Sequence, residues 1–312
     1  MDIISQNDCK KLVCEFVNEK LQGDIKKLRD YDFNNLREDK KYGCVNKYKL
    51  NYEDNVLSTF DADDTILAKA IYCLIWGDVF PDVSLNTIGT GKKYRGDTVN
   101  SFNTLFSRGL NNKLYTNAVS NYNNLKIGSE KTGFLIEDND LIENIVKFHK
   151  LYRTIGNFSL LPNIPCYMTK RNVSLNQYRG GNSGWRDFFD KFLLELRLYF
   201  LSNDKVNSDL KNLLDLNNFY FEKFEKSEEG FLEFCKINMF EYYILNEINF
   251  GINIGENLLY PTWRMSKFWS SNKNYYNSVS NNYIEKAIEV IKYRGDIIID
   301  KLIEKLNLDL AL

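Results

Sequence analysis

Apolar residues recur along much of the chain at three- and four-residue spacing, the period of a helix that is half in water and half in a core. Between Asp8 and Leu21, the residues Cys9, Leu12, Val13, Phe16, Val17 and Leu21 share one helical face. Ile66, Leu67, Ala70, Ile71, Leu74 and Ile75 leave the segment up to Trp76 with little polar face. That predicts a central helix, started by Asp63 or Asp64 as its cap. Val99, Phe102 and Phe106 predict a short helix capped by Asp97 and stopped near Gly109. Leu141, Ile145, Phe148 and Tyr152 align over 140–152, with Gly156 placed to end that helix. A wide apolar face spans Trp185 to Leu201, and two more helices are expected over 208–225 and 228–248. Ile284, Ile288, Ile291, Ile298, Leu302 and Leu306 mark a long C-terminal helix. Gly295 lies on that stripe, where a missing side chain lets another backbone come close.

Other stretches break this rhythm. Tyr48, Leu50 and Tyr52 alternate with polar residues, which suggests one short strand. The charged run from Asp24 to Lys41 has only Ile25, Leu28 and Leu36 as aliphatic anchors and reads as a surface helix or loosely packed arm. Residues 111–133 are polar and turn-rich, the pattern of an insertion. The expected fold is therefore all-α or mainly α, a single large helical domain with at most a few short strands. Residues 1–57 form an N-terminal helix and charged arm, and 58–312 the main helical domain.

With 312 residues, 44% of them hydrophobic, the chain can bury a sizeable core. A net charge of -1 argues against the broad positive field that drives non-specific nucleic-acid binding. No run approaches the roughly 18 apolar residues of a membrane span, so no membrane partner is expected. Asp2, Asp8, Lys10 and Lys11 near the start are unlike a secretory signal, and a cytoplasmic location is expected. The 6 cysteines form no Cys-x-x-Cys pair and read as free buried thiols. The single histidine, His149, excludes multi-histidine metal sites, and no metal ligands are assigned.

Four segments carry chemistry-bearing side chains. The first is Tyr94-Arg95-Gly96-Asp97-Thr98-Val99-Asn100-Ser101, where a helix start beside Arg95 would suit a phosphate or carboxylate. The second runs from His149 to Asp190, with Arg153, Asn157, Asn176, Arg179 and Asp187 as polar groups able to converge. His149 and Arg153 stand four residues apart on one helical face. The third is Asp61-Ala62-Asp63-Asp64, an Asp-x-Asp that can bind Mg²⁺ in phosphoryl-transfer enzymes, although helix capping is the simpler explanation. The fourth is Tyr260-Pro261-Thr262-Trp263-Arg264 with Phe268-Trp269, aromatics that stack on single-stranded nucleic acid or close over a core.

Thr154-Ile155-Gly156-Asn157-Phe158, the following Leu-Pro-Asn, Leu175-Asn176, Tyr178-Arg179-Gly180 and Asp187-Phe-Phe-Asp190 resemble an uncharacterised bacterial domain-of-unknown-function family. Arg95-Gly96-Asp97-Thr98 resembles it too. The resemblance supplies a grouping without an activity, and it points toward bacterial defence or stress response. The string around Ile155-Gly156-Asn157 is also loosely similar to the tail of HNH nuclease domains. Those nucleases use one histidine as base and usually another as metal ligand, and this chain has only His149. The defence-ribonuclease pattern of Arg followed five positions later by His also fails, because position 144 is Asn144.

Together these readings favour a polar pocket of Arg95, Asp97, Asn100, Arg153, Asn157, Asn176 and Arg179 that binds an anionic ligand, a nucleotide or a nucleic-acid phosphate. Asp97, His149 and Asp187 are the candidate catalytic groups, and Mg²⁺ is the cofactor to test. The alternative is a non-catalytic interaction module whose polar strings are caps and turns. The two differ in whether the stretch near Asp97 and the stretch from Arg153 onward meet around one cavity.

Overall fold

The computed structural model describes residues 5–44, 49–52, 55–58, 61–89, 91–100, 139–164, 175, 189–202, 204, 206, 208–245 and 273–307. The first helix, α1 (Gln6–Leu21), begins at Ser5 with a capping box: the Ser5 hydroxyl accepts from the Asp8 amide, and the Asp8 carboxylate accepts from the Ser5 amide. Its apolar stripe, Cys9, Val13, Phe16, Val17 and Leu21, is buried. The charged run that follows is neither a surface helix nor a loose arm. It forms two 3-10 turns, Ile25–Asp30 and Phe33–Leu36. Ile25 and Leu28, then Phe33 and Leu36, stand three residues apart, so the three-residue period of that helix points each pair into the core.

β1 (Lys49–Tyr52) and β2 (Asn55–Ser58) pair as an antiparallel hairpin, one strand more than expected. The apolar helix α2 (Ile66–Trp76) is capped by neither Asp63 nor Asp64. Thr65 caps it, its hydroxyl accepting from the Ala68 amide at 3.2 Å and donating to the Ala62 carbonyl at 3.0 Å. Asp63 and Asp64 lie instead in the preceding 3-10 turn, Ala62–Asp64.

At Asp97, where the sequence predicts a helix start, the backbone is extended; positions 101–109 of that expected helix lie outside the described residues. Tyr94–Thr98 is a strand, β3, paired antiparallel with β4 (Phe158–Pro162) so that Asp97 stands opposite Ser159 and Arg95 opposite Leu161. Local pattern loses here to a partner 62 residues from Asp97, a tertiary choice that propensity does not encode. Gly96 permits it: a Cβ there would lie 2.3 Å from the Asp63 carbonyl oxygen and 2.7 Å from the Tyr72 hydroxyl.

α3 (Asn139–Tyr152) matches its expected span, but Gly156 does not cap it. Gly156 sits in a further 3-10 turn, Ile155–Asn157, pressed against the last helix. α4 (Phe189–Phe200), α5 (Ser208–Leu216), α6 (Asn218–Phe221), α7 (Glu228–Ile237) and α8 (Glu241–Leu245) follow. The helix expected over 208–225 breaks at Asn217, whose side chain bonds the Leu213 carbonyl and both backbone groups of Ile164. Phe200, Phe221, Phe224 and Phe234 pack ring against ring between α4 and α7.

α9 (Lys273–Leu306) has 34 residues and is about 51 Å long. It packs against the turn Ile25–Asp30, α2, α3 and the turn Ile155–Asn157. Buried residues from α1 to α9 form one hydrophobic cluster, and helices far outweigh the two short two-stranded sheets among the described residues, so the fold is mainly α. Among the described residues no helix is long and apolar enough to cross a membrane. The segments 111–133 and 260–269 lie outside the described residues.

Candidate functional site

The close approach of β3 to the turn Ala62–Asp64 joins two segments that the sequence presents separately. Arg95 reaches Asp61, Nη2 to Oδ2 at 3.0 Å. Lys69 of α2 pairs with Asp64 at 2.9 Å, beneath Gly89, whose φ of +136° suits glycine and whose Cα faces both charged groups. Asp63 is 5% exposed, and the Asp61 and Asp97 carboxyls act on it electrostatically. Four carboxyl groups therefore meet two cationic side chains.

The environment acts differently on each group. Burial first, then the neighbouring Asp61 and Asp97, holds the Asp63 carboxyl well above the usual carboxylate range, against the pull of Arg95. Burial also raises Asp64, with Lys69 opposing. Burial works against the charge on Arg95, but Asp61, Asp63 and Asp97 more than offset it and raise its pKa. Cys44 donates its thiol to the Asp61 carbonyl at 3.3 Å, and burial pushes that thiol up to about 11. It is a weak nucleophile at neutral pH. The buried Tyr72 hydroxyl donates to the Asp63 carbonyl at 3.1 Å, which fixes the turn.

Among the described residues, three buried polar atoms of this cluster, Asp63 Oδ1, Asp64 Oδ1 and Arg95 Nε, have no hydrogen-bond partner, nor has Ser159 Oγ of β4. Ser159 is 1% exposed and opposes Asp97 in the β3–β4 register, so their side chains leave the sheet on the same side. Sequence reasoning missed Ser159. Its one signal is a lone hydroxyl in Phe158-Ser159-Leu160-Leu161, a strand otherwise apolar and buried throughout.

The stretches near Asp97 and from Arg153 onward do meet, but their asparagines bond each other. Asn157 Oδ1 accepts from the Asn100 amide at 2.8 Å, while its Nδ2 donates to the Asn100 and Tyr152 carbonyls, both at 2.9 Å. Tyr243 donates to Asn100 Oδ1 at 2.9 Å. Below this knot Arg294, 0% exposed, donates to the carbonyls of Gly156 and Phe158 at 2.5 and 2.9 Å. Asn238 Oδ1 accepts from Trp76 and Tyr220, at 3.1 and 2.9 Å.

His149 is half-buried near the end of α3, and burial, then Arg153, lowers its pKa against the opposite pull of Asp32. The imidazole is therefore neutral at physiological pH. Neither His149 nor Arg153 belongs to the carboxylate cluster. Asn176, Arg179 and Asp187 lie outside the described residues. Among the described residues no three His, Cys, Asp or Glu side chains are placed to hold a metal ion by themselves.

A model of a family of unknown function (DUF6994) matches residues 107–298. That span contains Asn157, Ser159, Asn238 and Arg294, whereas Asp61 to Asp97 precede it. No curated protein and no solved structure matches the chain.

Proposed function

Because the chain belongs to DUF6994, a family of unknown function, we propose a role from its geometry: Asp61, Asp63, Arg95, Asp97 and Ser159 bind a phosphate-bearing ligand, a nucleotide or nucleic-acid phosphate, together with a divalent cation. The observation that carries this reading is the pair of buried, unpartnered atoms, Asp63 Oδ1 and Ser159 Oγ. Each orphaned buried polar atom costs about 1–3 kcal/mol. Neither side chain caps a helix, since Thr65 does that work at α2. A ligand that supplies a positive charge and an acceptor recovers both losses.

Carboxyl groups outnumber cationic ones here, so a bare phosphate is repelled. A cation between carboxylate and phosphate reverses that, because Mg²⁺ binds through one or two carboxylates and completes its shell with water and substrate phosphate. Arg95 then offers its fork to the phosphate. The bacterial cytoplasm holds both nucleotides and Mg²⁺, and the resemblance suggests defence or stress response as the setting.

A thermal-shift screen tests this reading. Nucleotide or a short single strand with Mg²⁺ should raise Tm by several degrees, and either component alone by less. Asp97→Asn and Ser159→Ala should each reduce the shift. No shift with any combination would end the proposal. The second reading, a non-catalytic interaction module, is favoured by the amides of Asn100 and Asn157, which are bonded within the chain as structural polar motifs would be.

A further inference from the structure

Exposure falls steeply across the residues of the proposed site. The Asp61 side chain is 45% exposed and that of Arg95 24%, whereas Asp97 is 8% exposed, and Asp63 and Ser159 are buried still more deeply. Arg95 straddles the change: its Nη2 meets the Asp61 carboxylate at 3.0 Å, while its Nε is buried and has no acceptor. The unpartnered Asp63 Oδ1 and Ser159 Oγ are likewise shielded from solvent. A group that satisfies these atoms has to be narrow and has to end inside the protein.

We infer that the site takes a terminal phosphate, the monoester end of a mononucleotide or of an end-phosphorylated strand, and excludes the internal phosphodiesters of a nucleic-acid backbone. This rests on the phosphate-and-cation reading above and narrows it to one substrate class. A terminal phosphate carries about −1.5 to −2 charge at neutral pH and three acceptor oxygens beyond a single ester link. An internal phosphodiester is flanked by a sugar on each side, and that bulk holds its phosphorus away from buried atoms. The three oxygens of the monoester suit three partners: the divalent cation, the Arg95 Nε–H and the Ser159 hydroxyl, two donors without an acceptor in the chain. A diester cannot serve all three, and a buried donor left unpaired counts against its binding. Charge points the same way. Binding to an extended backbone depends on many Lys and Arg contacts, whereas this chain has a net charge of -1 and gathers Asp61, Asp63, Asp64 and Asp97 around the site.

Calorimetric titration of the full chain in MgCl₂ tests the exclusion with three probes: adenosine monophosphate, a short oligothymidylate bearing a terminal phosphate, and the same strand with hydroxyls at both ends. The first two should bind, and the hydroxyl-ended strand should bind about tenfold or more weakly than its phosphorylated twin. Ser159→Ala removes one of the buried donors without adding bulk. It should weaken the phosphorylated strand by about tenfold and leave the hydroxyl-ended strand unchanged. Equal affinity of the two strands overturns the inference, as does a Ser159→Ala protein that weakens both alike. The two proposals fail separately: equal binding of the strands sinks only the terminal-phosphate class, whereas no binding of any probe ends the phosphate-and-cation reading as well.

Discussion

At the scale of single residues, Asp63 and Arg294 are both buried ionisable groups held in opposite ways. The Asp63 pKa is raised in the folded state, so its contribution to stability is full below the ordinary carboxylate range and is lost as pH rises through the raised value. Asparagine copies the protonated form. Asp63→Asn should therefore match the parent at low pH and exceed it by about 1–2 kcal/mol at neutral pH and above. Denaturant melts of both proteins across pH check this, and a constant difference would refute it. Arg294 shows the reverse case. Burial lowers its pKa to about 10, yet it stays charged at neutral pH and satisfies the carbonyls of Gly156 and Phe158. Arg294→Met should cost about 2–5 kcal/mol by leaving those carbonyls without donors. A denaturant midpoint unchanged from the parent would contradict that role. Arg95, Asp97 and the Asp61–Asp64 run were legible as polar clusters in the sequence. Their meeting was not, because it depends on β3 pairing with a strand whose Ser159 lies 62 residues beyond Asp97, and Ser159 is a common residue in an apolar context.

At the scale of elements, the contact between the turn Ile155–Asn157 and α9 brings two glycines face to face with unequal tolerance. A Cβ on Gly156 would lie 2.0 Å from the Ile291 carbonyl oxygen and 2.9 Å from the Gly295 amide nitrogen, both backbone atoms. A Cβ on Gly295 would meet Arg29 Cγ at 3.0 Å, part of a flexible side chain, and Gly156 Cα at an ordinary 3.7 Å. Gly156→Ala should thus destabilise by about 3 kcal/mol or more through backbone displacement. Gly295→Ala should fall within about 1 kcal/mol of the parent, since alanine also favours the helix by a similar amount. Thermal melts of the two variants decide the matter, and equal losses would contradict the asymmetry. Periodicity located α1, α2, α3 and α9 because each has a buried stripe at helical spacing. It failed over 24–41 and at Asp97, where a three-residue period and a remote strand partner set the structure.

At the scale of the whole molecule, the core runs without interruption from α1 to α9. Far-UV circular dichroism and near-UV aromatic signals should therefore report one coincident unfolding transition. A separate early transition in either signal would instead divide the molecule into independently melting units. The mainly helical class was legible from the chain as a whole, because helical spacing of apolar residues dominates it.

The β3–β4 ladder also bears on how the protein can be cut. β4 falls within the span matched by the family, but β3 lies upstream of position 107. Excised by itself, residues 107–298 would present Phe158-Ser159-Leu160-Leu161 as a bare edge, ready to recruit a strand from any neighbour. Such a fragment should precipitate on expression and recover solubility when residues 1–106 are supplied in trans. The evolutionary unit and the folding unit then have different borders.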